Sequence, residues 1–131
     1  MWPIQLTEHH MRILHILHRS IPGTHGYAIR SREIVENQRA QGLEPIVVTS
    51  PSQAPQGDLD EQGSEIIGGV RYFRTCARLL GPTREVHDDR PVRSALRVAQ
   101  NLLLLKRASW IARTYRPSVI HAHSPFTSSC A

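Results

Sequence analysis

His121-Ala122-His123-Ser124 sets two imidazoles at i and i+2 beside a hydroxyl. On an extended strand, residues at that spacing project to the same face. Imidazole hydrogen-bonds hydroxyls or phosphate, moves a proton near neutral pH, and ligates metals. As a metal site the pair is incomplete, since no nearby Asp, Glu or Cys supplies a third ligand. The plain alternative is two histidines satisfied by neighbouring backbone. A second candidate runs from His18 to Gly26, where Pro22, Gly23 and Gly26 punctuate the chain. A turn leading into a helix aims backbone N–H groups at a phosphate or another oxygen-rich group. Gly23 and Gly26 do not spell GxGxxG, and an ordinary tight turn accounts for them too. A third position is Thr49-Ser50, where a nicotinamide-binding unit places an acid for the ribose hydroxyls. None is present, which counts against a nicotinamide dehydrogenase.

These segments need elements to position them. Ile13, Leu14, Ile16 and Leu17 form a short apolar run that suits a central parallel strand covered on both faces. From about Tyr27 the period changes: Tyr27, Ser31, Ile34, Val35 and Gln38 share one helical face, and Gly42 follows the last turn. Pro45 to Thr49 reads as a second buried strand. Residues 51–67, rich in Pro, Gln, Gly, Asp and Ser, read as an exposed loop. Gly69 to Thr75 is a third strand and about 79–91 another loop. The longest helix runs from about Val92 to Tyr115, with Leu96, Ala99, Leu103, Trp110 and Ile111 on its apolar side. Arg93, Arg97, Lys106, Arg107 and Arg113 give it a basic exposed surface. Arg116-Pro117 ends it, because a residue before proline avoids the helical region. Ser118 to His123 is a further parallel strand. The alternation gives an α/β sheet with its chemistry at the carboxyl ends of the strands.

At 131 residues there is room for one domain. The longest apolar stretch, Leu102 to Leu105, is far short of the roughly 20 residues that cross a bilayer. Cys76 and Cys130 make no CxxC pair and read as free thiols in a reducing cytoplasm. The net charge of +5 and isoelectric point near 10.0 are mostly due to arginine. They suit a solvated basic face, or attraction to phosphates, nucleic acid or an anionic membrane. Residues 1–10 carry no periodic pattern and no signal-peptide layout. They read as a disordered extension of a domain spanning 11–131, with Met11 as the alternative start.

MRILHILHRSIPGTHGYAIRSREIVENQRAQG, followed by PIVVTSP and later RPSVIHAHSP, resembles the amino-terminal half of a family 4 (GT-B) glycosyltransferase. Within that family the helix GYAIRSREIVENQRAQG and the strand end HAHSP are similar to the exosortase-associated (PEP-CTERM system) bacterial enzymes. The resemblance implies a Rossmann-like parallel sheet with flanking helices, the amino-terminal half of a GT-B fold, incomplete at its carboxyl end. It implies a retaining hexosyl transfer from a nucleotide sugar to an acceptor hydroxyl, in exopolysaccharide or cell-surface glycan synthesis. No cofactor and no metal is implied, since helix termini and basic side chains offset the pyrophosphate charge. His123 takes the role of the family histidine that reaches the donor sugar, with His121 in support. His18, Gly23, Gly26 and Ser124 are implied at the substrate cleft. Glu36 and Glu44 mimic the family's E-x7-E signature, but that signature belongs to the carboxyl-terminal domain, and here a helix-to-strand turn separates the two acids.

The expected partners are a nucleotide sugar, a glycan or lipid-linked acceptor, and the carboxyl-terminal domain that such enzymes carry. Nucleic acid is not expected. Without that second domain these residues are expected to be inactive. A cytoplasmic location is expected, with peripheral contact at the inner face of the plasma membrane as a variant. Two other classes stay open: a stand-alone nucleotide- or NADP-binding module, which cofactor fluorescence would reveal, and a basic membrane- or partner-binding domain. Salt-sensitive liposome sedimentation would mark the latter.

Overall fold

In the computed structural model, residues 10–75 and 90–123 are described, with the side chains of the second segment described from residue 95. The elements run β1 (Arg12–Leu17), α1 (Gly26–Ala40), β2 (Glu44–Thr49), β3 (Ser64–Ile67), β4 (Val70–Arg74), α2 (Arg90–Tyr115) and β5 (Val119–Ala122). Residues 1–9, Cys76, positions 79–89 of the expected 79–91 loop, the Arg93 side chain, Ser124 and Cys130 lie outside the described residues, and residues 90 and 91 of that loop instead open α2.

The strands form one five-stranded sheet in the order β3-β4-β2-β1-β5. β1, β2, β4 and β5 are mutually parallel, and β3 pairs antiparallel with β4. From β1 the chain steps outward to β2, and after α2 it returns to the other side of β1. Strand order therefore reverses between β1 and β5, the position at whose carboxyl ends open α/β sheets bind ligands.

Period-2 alternation in β1 divides the core. Leu14 and Ile16 join Ile46, Val48 and Phe73 beneath Leu104, Ala108 and Ile111 of α2. On the other face Leu17 joins Val47, Val70 and Tyr72 beneath Val35 of α1. Each helix thus covers one face of the sheet, and the central strands are buried on both, which is why they read as continuous apolar runs.

Several expectations are corrected. The stretch 51–67 is not all loop, because Ser64–Ile67 is a strand. Gly68 and Gly69, at φ +59° and +79°, form a two-residue turn that folds it back on β4. Paired left-handed residues suit the right-handed twist of a hairpin, so the sheet is mixed. The buried stripe of α2 also differs from the expected one: Ile111 is buried as expected, but Gln100, Leu104 and Ala108 share its burial, Leu96, Ala99 and Leu103 are only partly covered, and Trp110 is 39% exposed. From Gln100 the face advances by two i+4 steps and one i+3 step, and the run of four leucines masks its phase in the sequence. Arg107 is not a free surface cation either. It stacks on Phe73 and Trp110 and donates to the carbonyls of Gln62 and Gly63.

His10, assigned to the extension, has its Nδ1 2.7 Å from the Gly42 carbonyl oxygen. At the same end of the sheet Arg12 binds both carboxylate oxygens of Glu44, at 3.0 and 3.1 Å. It also donates to the Tyr115 carbonyl, joining β1, β2 and the end of α2.

Candidate functional site

The carboxyl end of β5 lies against β1 in a register that pairs His15 with His121. His123 follows β5, and its backbone N–H extends the ladder to the Ile16 carbonyl at 3.2 Å. Residues 15, 121 and 123 therefore share the face that α1 covers. His15 is fully buried, His123 half-buried and His121 exposed. The rings of His121 and His123 are stacked, with centroids 4.1 Å apart. His15 is tilted against both, at 5.2 and 5.0 Å.

Hydrogen bonding fixes the tautomer of the buried ring. Gln38 of α1, with its amide oriented oxygen-first, places Oε1 2.6 Å from His15 Nε2. That oxygen accepts, so Nε2 carries the proton of the neutral ring and Nδ1 is left as an acceptor. His123 Nε2 lies 2.7 Å from His15 Nδ1 and donates to it. Burial lowers the pKa of His15, aided by the charge of His121 and partly offset by the bond to Gln38. Burial, then His121, His15 and Arg30, bring His123 down to about 4. At neutral pH both rings are uncharged.

Beside them a cavity of about 220 Å³ opens between α1 and β5, lined by Tyr27, Arg30, Ser31, Ile34, His121 and His123. Arg30 supplies its positive charge. The α1 amino terminus opens nearby in the chain at Gly26, and His25 caps it by accepting the Ala28 N–H at Nδ1, 3.3 Å away. Among the described residues, no atom beyond its chain neighbours and its own helix backbone comes within 4 Å of where a Gly26 Cβ would stand, so their packing does not demand glycine there. Gly23 is different. Its N–H closes a turn on the Ser20 carbonyl at 3.0 Å, and a Cβ would press to 3.0 Å from that same oxygen.

His18 follows β1 at the same carboxyl edge as His123 but turns toward β2. The Ser50 hydroxyl donates to the His18 carbonyl at 2.7 Å, so its oxygen can only accept from His18 Nδ1, 3.0 Å away. Burial, then Arg19 and Arg97, lower the His18 pKa. The structure thus brings His121 and His123 together around His15, and joins His18 to the β2 end instead. Ser124 lies outside the described residues.

Two residues of this edge were not singled out from the sequence. His15 lay hidden in an apolar run, and only the β1–β5 register places it beside His121. Arg74, at the end of β4, is buried and donates to Ser20 Oγ, Thr49 Oγ1 and the Ile21 carbonyl, at 2.8, 3.3 and 2.8 Å. It ties the turn after β1 to the ends of β2 and β4. Glu36 and Glu44 pair with Arg32 and Arg12 respectively.

Among the described residues no helix is long and apolar enough to cross a membrane. A family model described as a glycosyl transferase 4-like domain matches residues 25–131. No curated protein and no solved structure matches the chain.

Proposed function

Because the chain belongs to the glycosyl transferase 4-like family, we propose that it forms the acceptor-side domain of a retaining glycosyltransferase. The enzyme moves a hexosyl group from a nucleotide sugar to an acceptor hydroxyl, in bacterial exopolysaccharide or cell-surface glycan synthesis of the exosortase-associated type. A carboxyl-terminal domain supplies most donor contacts and closes the other wall of the cleft. No metal is needed for the transfer itself.

The observation that carries this reading is the position of His123. It stands at the reversal of strand order between β1 and β5, where an α/β sheet opens a ligand crevice. It is half-buried, borders the cavity with Arg30, and is uncharged at neutral pH. A neutral imidazole there hydrogen-bonds a sugar hydroxyl without adding charge. Arg30 and the α1 amino terminus favour oxygen-rich, anionic groups on the same side. His18, Gly23 and Gly26 line the same edge and Ser124 follows His123 in the chain, completing the substrate-binding set.

Titrating the isotope-labelled chain with UDP-glucose and with GDP-mannose tests the reading. Weak, millimolar binding is expected, with amide shifts concentrated in residues 18–26 and 121–123. Shifts confined to the amino edge of the sheet around Arg12 and Glu44, or none with either sugar nucleotide, would overturn it.

A further inference from the structure

We propose that His15, His121 and His123 form a three-imidazole site for a borderline-soft divalent transition metal, Zn²⁺ foremost. Each ring offers one nitrogen, and these atoms all lie within 4.8 Å of one another. The cluster is built on rigid elements. Two rings face each other in the β1–β5 register and the third follows on the same face, held by a ladder hydrogen bond.

The buried ring already has the support that metal-bound histidines have. A ligating imidazole commonly donates its other N–H to a carbonyl or carboxylate, which fixes ring orientation and tautomer. His15 Nε2 does this to Gln38 Oε1 at 2.6 Å, leaving Nδ1 aimed at His123 Nε2. Zinc–nitrogen bonds of about 2.0–2.1 Å in tetrahedral geometry set ligand nitrogens roughly 3.3 Å apart. The 2.7 Å pair opens by about half an ångström, and exposed His121 swings in. The Nε2 proton of His123 leaves to solvent while Nδ1 takes one up, so the ring stays neutral.

The donor set selects the ion. Three imidazoles without a carboxylate suit Zn²⁺, Ni²⁺ or Cu²⁺ and exclude Mg²⁺ and Ca²⁺, which require oxygen. Three protein ligands leave a fourth position, which opens on the cavity holding Arg30 and Ser31. Arg30 opposes a bare dication, so an anionic fourth ligand such as hydroxide or phosphate completes the site. Bound metal occupies the ring that the transfer reaction would use, making the ion an inhibitor of that reaction.

The test uses the tag-free chain and metal salts alone, with no sugar present. Calorimetric titration with Zn²⁺ should show one ion per chain, and Co²⁺ should give the intense visible bands of a four-coordinate centre. Gln38→Leu should weaken Zn²⁺ binding about 10- to 100-fold. His121→Gln and His123→Gln should weaken it further, whereas His10→Gln and His18→Gln should leave it unchanged. His121 is exposed, so its variant keeps the fold even if His15→Gln does not. Absence of Zn²⁺ binding, or one-site binding that survives His121→Gln or disappears with His10→Gln, would overturn the proposal.

Discussion

Arg74 and Glu65 form an ion pair inside the protein, Nη2 to Oε1 at 2.8 Å, with side chains only 2% and 7% exposed. The pair joins β4 to β3. The remaining guanidinium donors hold the ends of β1 and β2, as described above. Breaking a buried pair leaves an uncompensated charge, which typically costs about 3–5 kcal/mol. Arg74→Met should lower unfolding free energy by that order in urea titrations. Adding Glu65→Gln to the same chain should recover part of the loss, since the stranded charge is then removed. A double variant no more stable than Arg74→Met would show that the contacts to Ser20 and Ile21, not the ion pair, dominate.

The same pair sets an acid limit. Burial of Glu65 raises its carboxyl pKa, but the N–H groups of Gln56 and Gly57 together with Arg74 outweigh this and hold it below the ordinary 4.5. For a depressed carboxyl, the contribution to stability is complete above the ordinary value and lost as pH falls through the lower folded value. Unfolding free energy should therefore decline below about pH 4.5 in the wild type. Glu65→Gln, measured across the same range, should show a shallower decline.

The hairpin turn gives a backbone test. Gly69 holds φ +79°, and an added Cβ would also meet the flexible Arg39 guanidinium at 2.4 Å. Arginine can swing aside, so the backbone conformation decides the cost. Gly69→Ala should destabilise by about 1–2 kcal/mol. Gly68→Asn should be nearly neutral, because asparagine accepts the first left-handed position of such a turn. Thermal unfolding of the two variants separates these outcomes.

Most of the frame was legible because it rests on local periodicity. Ile13 to Leu17 and Pro45 to Thr49 announce buried strands, and the Tyr27–Gln38 spacing announces α1 within a residue of its observed start. β3 was hidden because Glu65 and the surrounding polar residues resemble a loop, although Gly68-Gly69 after Ile66-Ile67 was a readable hairpin signal. Four consecutive leucines left the phase of α2 undetermined. The third member of the histidine cluster was out of reach for another reason. Its partners come from a strand whose neighbour and register follow from the sheet as a whole, and neither is written locally in LHILH or IHAHS.

In an enzyme that includes the donor-binding domain, His123→Ala should reduce turnover far more than it reduces stability. The ring packs mainly on two other histidines and borders a cavity, so its removal opens no void in either apolar core. Transfer rate and urea midpoint measured on one preparation decide the matter. An unchanged rate would move the sugar-contacting role to His18 or His121.

His15 and His123 touch across 108 positions of sequence. Closing so long a loop is entropically slow compared with forming the neighbouring β1–α1–β2 unit. The docking of β5 is therefore expected late in folding, and the cluster would be completed by that event, which pulse-labelling hydrogen exchange of the β1 and β5 amides during refolding would check. During synthesis the first two strands and their helix can mature while His15 still lacks both ring partners. On that order the three imidazoles would come together only once the scaffold around β1 is in place, so a partly folded molecule would lack the assembled cluster.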